Sequence, residues 1–309
     1  MESIRIKAFA KVNLCLDVKG LMEGGYHEVE MILQQISLHD EIDLTWEDDP
    51  ASDKVEISLT VSRDDVPADG TNLAWKAAEE MAAEAGDIRG RLSIHIDKNI
   101  PMAAGLAGGS SDCGAVIHGL NILWDLDMNI EQLCRIGARL GSDVPFCIMG
   151  QAAADPILKE IFRDDPGAAH CAIARGRGTD LEPITGLSSH ILLAKPDIPV
   201  STREVYEGID RVEIEARPDI DEMRLGLEKK DMELIEKNMV NVLENFTLKG
   251  YPMVVYTKNK VQNTWNGPVL MSGSGPTIYC LCNSEDEAAS ICEAVREPDI
   301  RCFCTDTTS

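Results

Sequence analysis

One stretch constrains this chain more than any other: Pro101 to Asp112, PMAAGLAGGSSD. It stands between an alternating apolar segment, Arg91 to Asp97, that predicts a strand, and an apolar segment that predicts a helix. Gly105, Gly108 and Gly109 allow backbone conformations and close approaches that a side chain forbids. Ser110, Ser111 and Asp112 open the helix, and the first amides and dipole of a helix suit an anion. Yet no lysine follows the serines, so this is not G-x-x-x-x-G-K-[ST], and the glycine spacing is not G-x-G-x-x-G. On the residues alone, a phosphate cradle and a structural turn stand as equal readings.

The flanks say what carries the stretch. Ile4, Ile6, Ala8 and Ala10 alternate as in a strand that continues past Lys11 through NLCLDV. MILQQISLHDEIDL predicts another strand or two, with a turn near His39 and Asp40. Val55, Ile57, Leu59 and Val61 alternate, as do Leu92, Ile94 and Ile96. Leu73 to Ala85 predicts a helix capped by Thr71–Asn72 and stopped by Gly86. DCGAVIHGLNILWDL predicts a buried helix, and NIEQLCRIGARL a second, with Asn129 as cap and Gly141 as stop. The charged segment Asp155 to Gly167 predicts a surface excursion with a helical turn or two. Beyond Gly186, HILLAKP, GPVLM, TIYCLC and IRCFCT predict strands, and GPVLMSGSG ends in a second glycine turn. VSTREVYEGI, EMRLGLEKK and MELIEKNMV predict helices, and Ser284 with Glu287 opens one more, to Val295. Helices and antiparallel-looking strands mix in both halves, which predicts an α+β protein of two domains, 1–186 and 187–309.

Charge and cysteine content narrow the function classes. With 29 basic and 53 acidic residues the net charge is −24, which disfavours a protein that coats nucleic acid or an anionic membrane. Lys7, Lys11, Asn13 and Asp17 interrupt any signal-peptide core, and no apolar run approaches the ~18 residues of a membrane span. The expectation is a cytoplasmic protein with a small-molecule partner. Five of the 10 cysteines crowd the C-terminus, but Cys280/Cys282 and Cys302/Cys304 are spaced as strand neighbours, not as C-x-x-C metal ligands. They are read as reduced structural thiols, and no all-protein metal site is expected.

The order of the motifs carries more than any one of them. AKVNLCLDV, GGYHEVEMI, PMAAGLAGGSSD, LGSDVPF and MSGSGPTIY follow one another from about Ile6 to about Thr305. This series resembles the GHMP kinase superfamily. A-K-V-N-L with G-Y-H and L-G-S-D-V-P-F most resembles its members that phosphorylate a cytidine-diphosphate-linked methylerythritol. The resemblance implies a two-domain GHMP kinase fold, with an N-terminal domain like ribosomal protein S5 domain 2 and a C-terminal ferredoxin-like domain. It implies ATP and Mg²⁺ as cofactors, and a monomer or weak homodimer. The alternatives are another small-molecule acceptor, such as homoserine or mevalonate, or an inactive nucleotide-binding relative.

The resemblance also implies roles, each beside a plainer reading. Lys11 and Asp143 become the catalytic pair, where an edge-strand lysine and a helix N-cap would otherwise suffice. Pro101, Ala104, Gly105, Leu106, Ala107, Gly108, Gly109, Ser110 and Ser111 become the ATP-phosphate loop, with Asn72, Leu73 and Lys98 near the nucleotide. Asn13, Tyr26, His27, Tyr206, Gly273 and Ser274 become substrate contacts, with the aromatic rings around the cytosine. Two features depart from the pattern: Ala107 stands where many relatives have glycine, and residues 155–167 resemble an insertion before ARGRG at Ala174 to Gly178.

Overall fold

The computed structural model describes residues 1–309. Two antiparallel-capable segments near the start are far longer than ordinary strands: β1 (Glu2–Leu21) and β2 (His27–Asp48). The chain groups into two compact units, 1–10, 38–102 and 107–170 in the first, and 11–37, 103–106 and 171–309 in the second. This grouping differs from the sequence-order division at 186/187 because β1 and β2 each run through both units.

The first unit holds β3 (Val55–Val61), α1 (Leu73–Ala85), β4 (Gly90–Asp97), α2 (Gly108–Leu123), α3 (Ile130–Leu140), α4 (Val144–Ala154) and α5 (Pro156–Ile161). β4 pairs antiparallel with the C-terminal half of β2, Ile42 opposite Ile96, and parallel with β3. β4 alternates buried and exposed residues throughout, so one face meets helices and the other water. Ile42, Leu44, Ile94 and Ile96 on the strands pack with Met81, Val116, Leu120 and Leu133 on the helices. The caps do what their sequences predict: Asn72 accepts from the Ala74 amide, and Asn129 forms a capping box with Gln132.

The second unit holds β5 (Cys171–Arg175), β6 (Asp180–Pro183), β7 (His190–Pro196), α6 (Thr202–Ile209), α7 (Ile220–Lys229), α8 (Met232–Asn238), α9 (Glu244–Gly250), α10 (Pro252–Thr264), β8 (Val269–Met271), β9 (Ile278–Cys282), α11 (Glu285–Val295) and β10 (Ile300–Asp306). β5 pairs with the N-terminal half of β2 and with β6. A second, antiparallel sheet has the order β10-β7-β9-β8, in which the first and third strands are central, the ferredoxin-like arrangement.

Three local readings change, and the helix that follows Asp143 gains its bounds. No turn interrupts β2 at His39–Asp40, because the Asp40 carboxylate is fully buried and bonded inside the unit rather than solvated. The segment after Asp143 is an 11-residue helix, buried along almost its whole length. Residues 155–167 are not a plain surface excursion. Asp155 is buried, caps α5 through the Ile157 and Leu158 amides and accepts from the Lys7 amide, while Leu158 and Phe162 join the core. Cys280 and Cys282 share a buried face with their thiols 3.9 Å apart, but Cys304, near the end of edge strand β10, is exposed.

Candidate active site

In the first unit the glycine-rich stretch becomes the start of α2. The helix begins at Gly108, so the two glycines and Ser110 form its first turn. Its first hydrogen bond runs from the Ser111 amide to the Ala107 carbonyl at 2.8 Å, which leaves the Gly108, Gly109 and Ser110 amides as the helix's open donors. Ala107 caps this end in the left-handed region at φ 60°, as Ala103 does at φ 48°. The two serines separate in role. The Ser111 hydroxyl is fully buried and donates to the Phe9 carbonyl at 2.5 Å, fastening α2 to β1, whereas Ser110 stays half-exposed. Pro101 is buried in the same unit, and Ala104 and Leu106 are buried residues of the second unit.

Lys98 does not face solvent. Its side chain is 1% exposed, and its ammonium donates to Asp40 at 2.5 Å and to Asp112 at 2.8 Å. Burial opposes this charge, but the Asp112 and Asp40 carboxylates more than offset it and hold the pKa above the ordinary lysine value. Burial pushes Asp112 the other way from an ordinary aspartate, up to about 8, with Lys98 opposing the rise. Asn72 uses its side chain twice within the unit, accepting from Ala74 and donating to the Pro67 carbonyl, so capping accounts for it. Leu73 lies beside the loop, 3.9 Å from where a side chain on Gly109 would begin. Asp143 occupies the N-cap position of α4, yet its carboxylate makes no capping hydrogen bond.

The second unit collects the remaining residues. Lys11 and Asn13, two apart on β1, share a buried face, and the Lys11 ammonium donates to the Asn13 amide oxygen at 2.8 Å. The Asn13 carbonyl accepts from the Tyr279 hydroxyl at 2.8 Å, which fixes the strand beneath them. A side chain on Gly273 would begin 3.5 Å from the Asn13 oxygen and 3.6 Å from the Lys11 nitrogen, so the SGSG turn borders this pair. Ser274 bonds Thr202 at the start of α6 at 2.9 Å. His27 is buried, with its Nε2 3.1 Å from Asp210 and its ring 5.5 Å from the Tyr206 ring. Tyr26 is exposed, with the Arg177 guanidinium 5.5 Å over its ring.

Three residues here escaped the sequence: Asp40, Arg177 and Asp210. Asp40 carried a weak signal, a carboxylate inside an apolar strand run. The others join their partners from distant parts of the chain, which no local spacing encodes.

A family model described as GHMP kinases N terminal domain matches residues 72–151, and one described as GHMP kinases C terminal matches residues 223–300. The 4-diphosphocytidyl-2-C-methyl-D-erythritol kinase of Alkaliphilus metalliredigens (strain QYMF) is 40% identical over 294 residues, 95% of this chain and 92% of that protein. The protein of that name from Bacillus licheniformis is 42% identical over 291 residues, 94% of this chain and 92% of its own length. A crystal structure of 4-(cytidine 5'-diphospho)-2C-methyl-D-erythritol kinase matches with a TM-score of 0.77 at 26% identity, covering 99% of this chain and 100% of that one. Homoserine kinase from Cytophaga hutchinsonii matches with a TM-score of 0.71 at 18% identity over 100% of this chain and 95% of that one, which is a likeness of fold.

Proposed function

Since the chain belongs to the GHMP kinase family, we propose that it transfers the γ-phosphoryl group of ATP to the 2-hydroxyl of 4-diphosphocytidyl-2-C-methyl-D-erythritol. This is a step of non-mevalonate isoprenoid precursor synthesis. The observation that carries the reading is the 40% identity to a kinase of that name over 95% of the chain. The buried Lys11–Asn13 pair and the His27, Tyr206 and Tyr26 grouping support it from the second unit.

In this reading the open amides of Gly108, Gly109 and Ser110 hold ATP phosphates at the positive end of α2. The open amides and the half-exposed Ser110 hydroxyl there suit a nucleotide that brings its own Mg²⁺. That ion supplies neutralisation of phosphate charge. Lys11 orients the acceptor and opposes charge on the transferring group, while Asn13 holds the acceptor's polar end. Asp143, half-buried at the start of α4, takes the proton of the accepting hydroxyl. Tyr26 and Tyr206 enclose the cytosine and His27 reads its edge. Residues 1–186 form the N-terminal ATP-binding half and 187–309 the C-terminal kinase half, and the protein acts in the cytoplasm as a monomer or weak homodimer without nucleic acid.

The test uses labelled ATP with the cytidine substrate, homoserine and mevalonate in parallel, on the wild type and on Asp143→Asn. Phosphorylation of the cytidine substrate alone is expected, and Asp143→Asn loses about 10²–10⁴ in kcat while still binding an ATP analogue. Transfer to homoserine or mevalonate alone defeats the reading.

A further inference from the structure

The loop has no lysine after its serines, yet positive charge lies behind it. A Cβ on Gly108 would begin 3.4 Å from the Lys98 nitrogen and 3.0 Å from Ile100, so the ammonium sits directly beneath the start of α2. Phosphate cannot reach it, because Asp40 and Asp112 enclose it and its side chain is 1% exposed. Asp40 uses its other oxygen on the Asn99 and Ile100 amides, at 2.5 and 2.7 Å, and so fixes the entry to the stretch. Asp112, one turn into α2, fixes the exit. Its second oxygen, Oδ1, is buried and has no hydrogen-bond partner. A buried carboxylate oxygen left bare is costly when charged and far less so when the group is protonated.

We infer that Lys98, Asp40 and Asp112 form a buried charge clamp that positions the start of α2 for phosphate, and that Asp112 holds a proton while phosphate is bound. The inference rests on the reading of this loop as the ATP-phosphate site. All three are positioning residues, acting through the loop amides. The charge count gives the reason. With both carboxylates ionised the clamp is net negative beneath an anion, and one proton from solvent on Asp112 makes it neutral. The groups facing Asp112 are Lys98 from the end of β4 and Asp40 from β2, with the Cys113 thiol beside it. Burial already holds Asp112 at about 8, so the proton is available near neutral pH, and bound phosphate draws it on further.

The experiment titrates the full chain with a non-hydrolysable ATP analogue and Mg²⁺ from about pH 7 to about pH 9.5, and counts protons by calorimetry in two buffers of different ionisation heat. Wild-type affinity is expected to fall about tenfold across that range, with net proton uptake on binding. Asp112→Asn, neutral at every pH, is expected to bind with no such fall and no such uptake. Binding that is strong but pH-independent in the wild type, or an Asp112→Asn protein that keeps the fall, overturns the inference alone. A wild type that binds no analogue overturns the ATP reading as well. The wild-type proton count requires no variant, so it decides the matter even where Asp112→Asn fails to fold.

Discussion

The chain has two glycine turns of similar composition, GLAGGS at Gly105 to Ser110 and SGSG at Ser272 to Gly275, and they differ in what they leave open. In the second, the Ser272 amide donates to Thr277 and the Gly275 amide to Ser272, both at 2.9 Å. The Asn241 side chain donates to the Met271 and Gly273 carbonyls at 2.8 and 2.7 Å. That turn joins two strands, β8 and β9, and closes its hydrogen bonds on itself and its neighbours. The first turn leads into a helix, and a helix start necessarily leaves amides unbonded. Behind it an ammonium is enclosed by two carboxylates, whereas beside the second stand the Asn241 amide, the Thr247 hydroxyl and the Lys11 ammonium paired with Asn13. Glycine content says that the chain turns; the element that follows decides whether the turn keeps amides open or bonds them.

Three substitutions sharpen or break this contrast. The largest effect is expected at Gly105, where φ is +72° and an added Cβ would overlap the Ser272 carbonyl oxygen and lie 3.0 Å from that of Gly275. Gly105→Ala should destabilise the protein by roughly 3 kcal/mol, read as a lower urea midpoint at unchanged slope. A midpoint equal to wild type would show that the middle of the first turn is not wedged against the second. Asn241→Ala comes next: it strips two carbonyls of their donor and should cost about 2 kcal/mol. Because that turn borders the Lys11–Asn13 pair and not the start of α2, ATP-analogue affinity should hold while the KM for the cytidine substrate rises. Equal losses at both ends would erase the distinction. The smallest effect belongs to Ala107→Gly, which relieves a left-handed alanine and should stabilise by less than ~1 kcal/mol, measured by thermal midpoint. Destabilisation there would mean that the methyl group packs usefully.

Local rules made much of the fold legible. Alternation located the start of β1, β3 and β4, and Asn72, Asn129 and Ser284 marked helix starts because a cap needs only its own next few amides. What the sequence concealed was compensation over distance. Asp40 read as a turn residue because its partners, Lys98, Asn99 and Ile100, lie about 60 positions away. Asp155 and Phe162 read as surface for the same reason, their contacts being with Lys7 and His118. The candidate site followed this pattern. Lys11 and Asn13 share a face by strand periodicity, which spacing predicts, whereas the enclosure of Lys98 and the pairing of His27 with Asp210 depend on segments the eye does not join.

The interleaving of the two units also sets an order of events during synthesis. Every segment of the first unit lies before residue 171, so it can close while the rest of the chain is still being made. Residues 11–37 belong to the second unit and must wait for partners among residues 171–309. At ribosomal speed that wait lasts on the order of 10 s. Through it, the apolar strand edge around Val12, Leu14, Leu16, Ile32 and Leu33 stays uncovered, an open template for a neighbouring nascent chain.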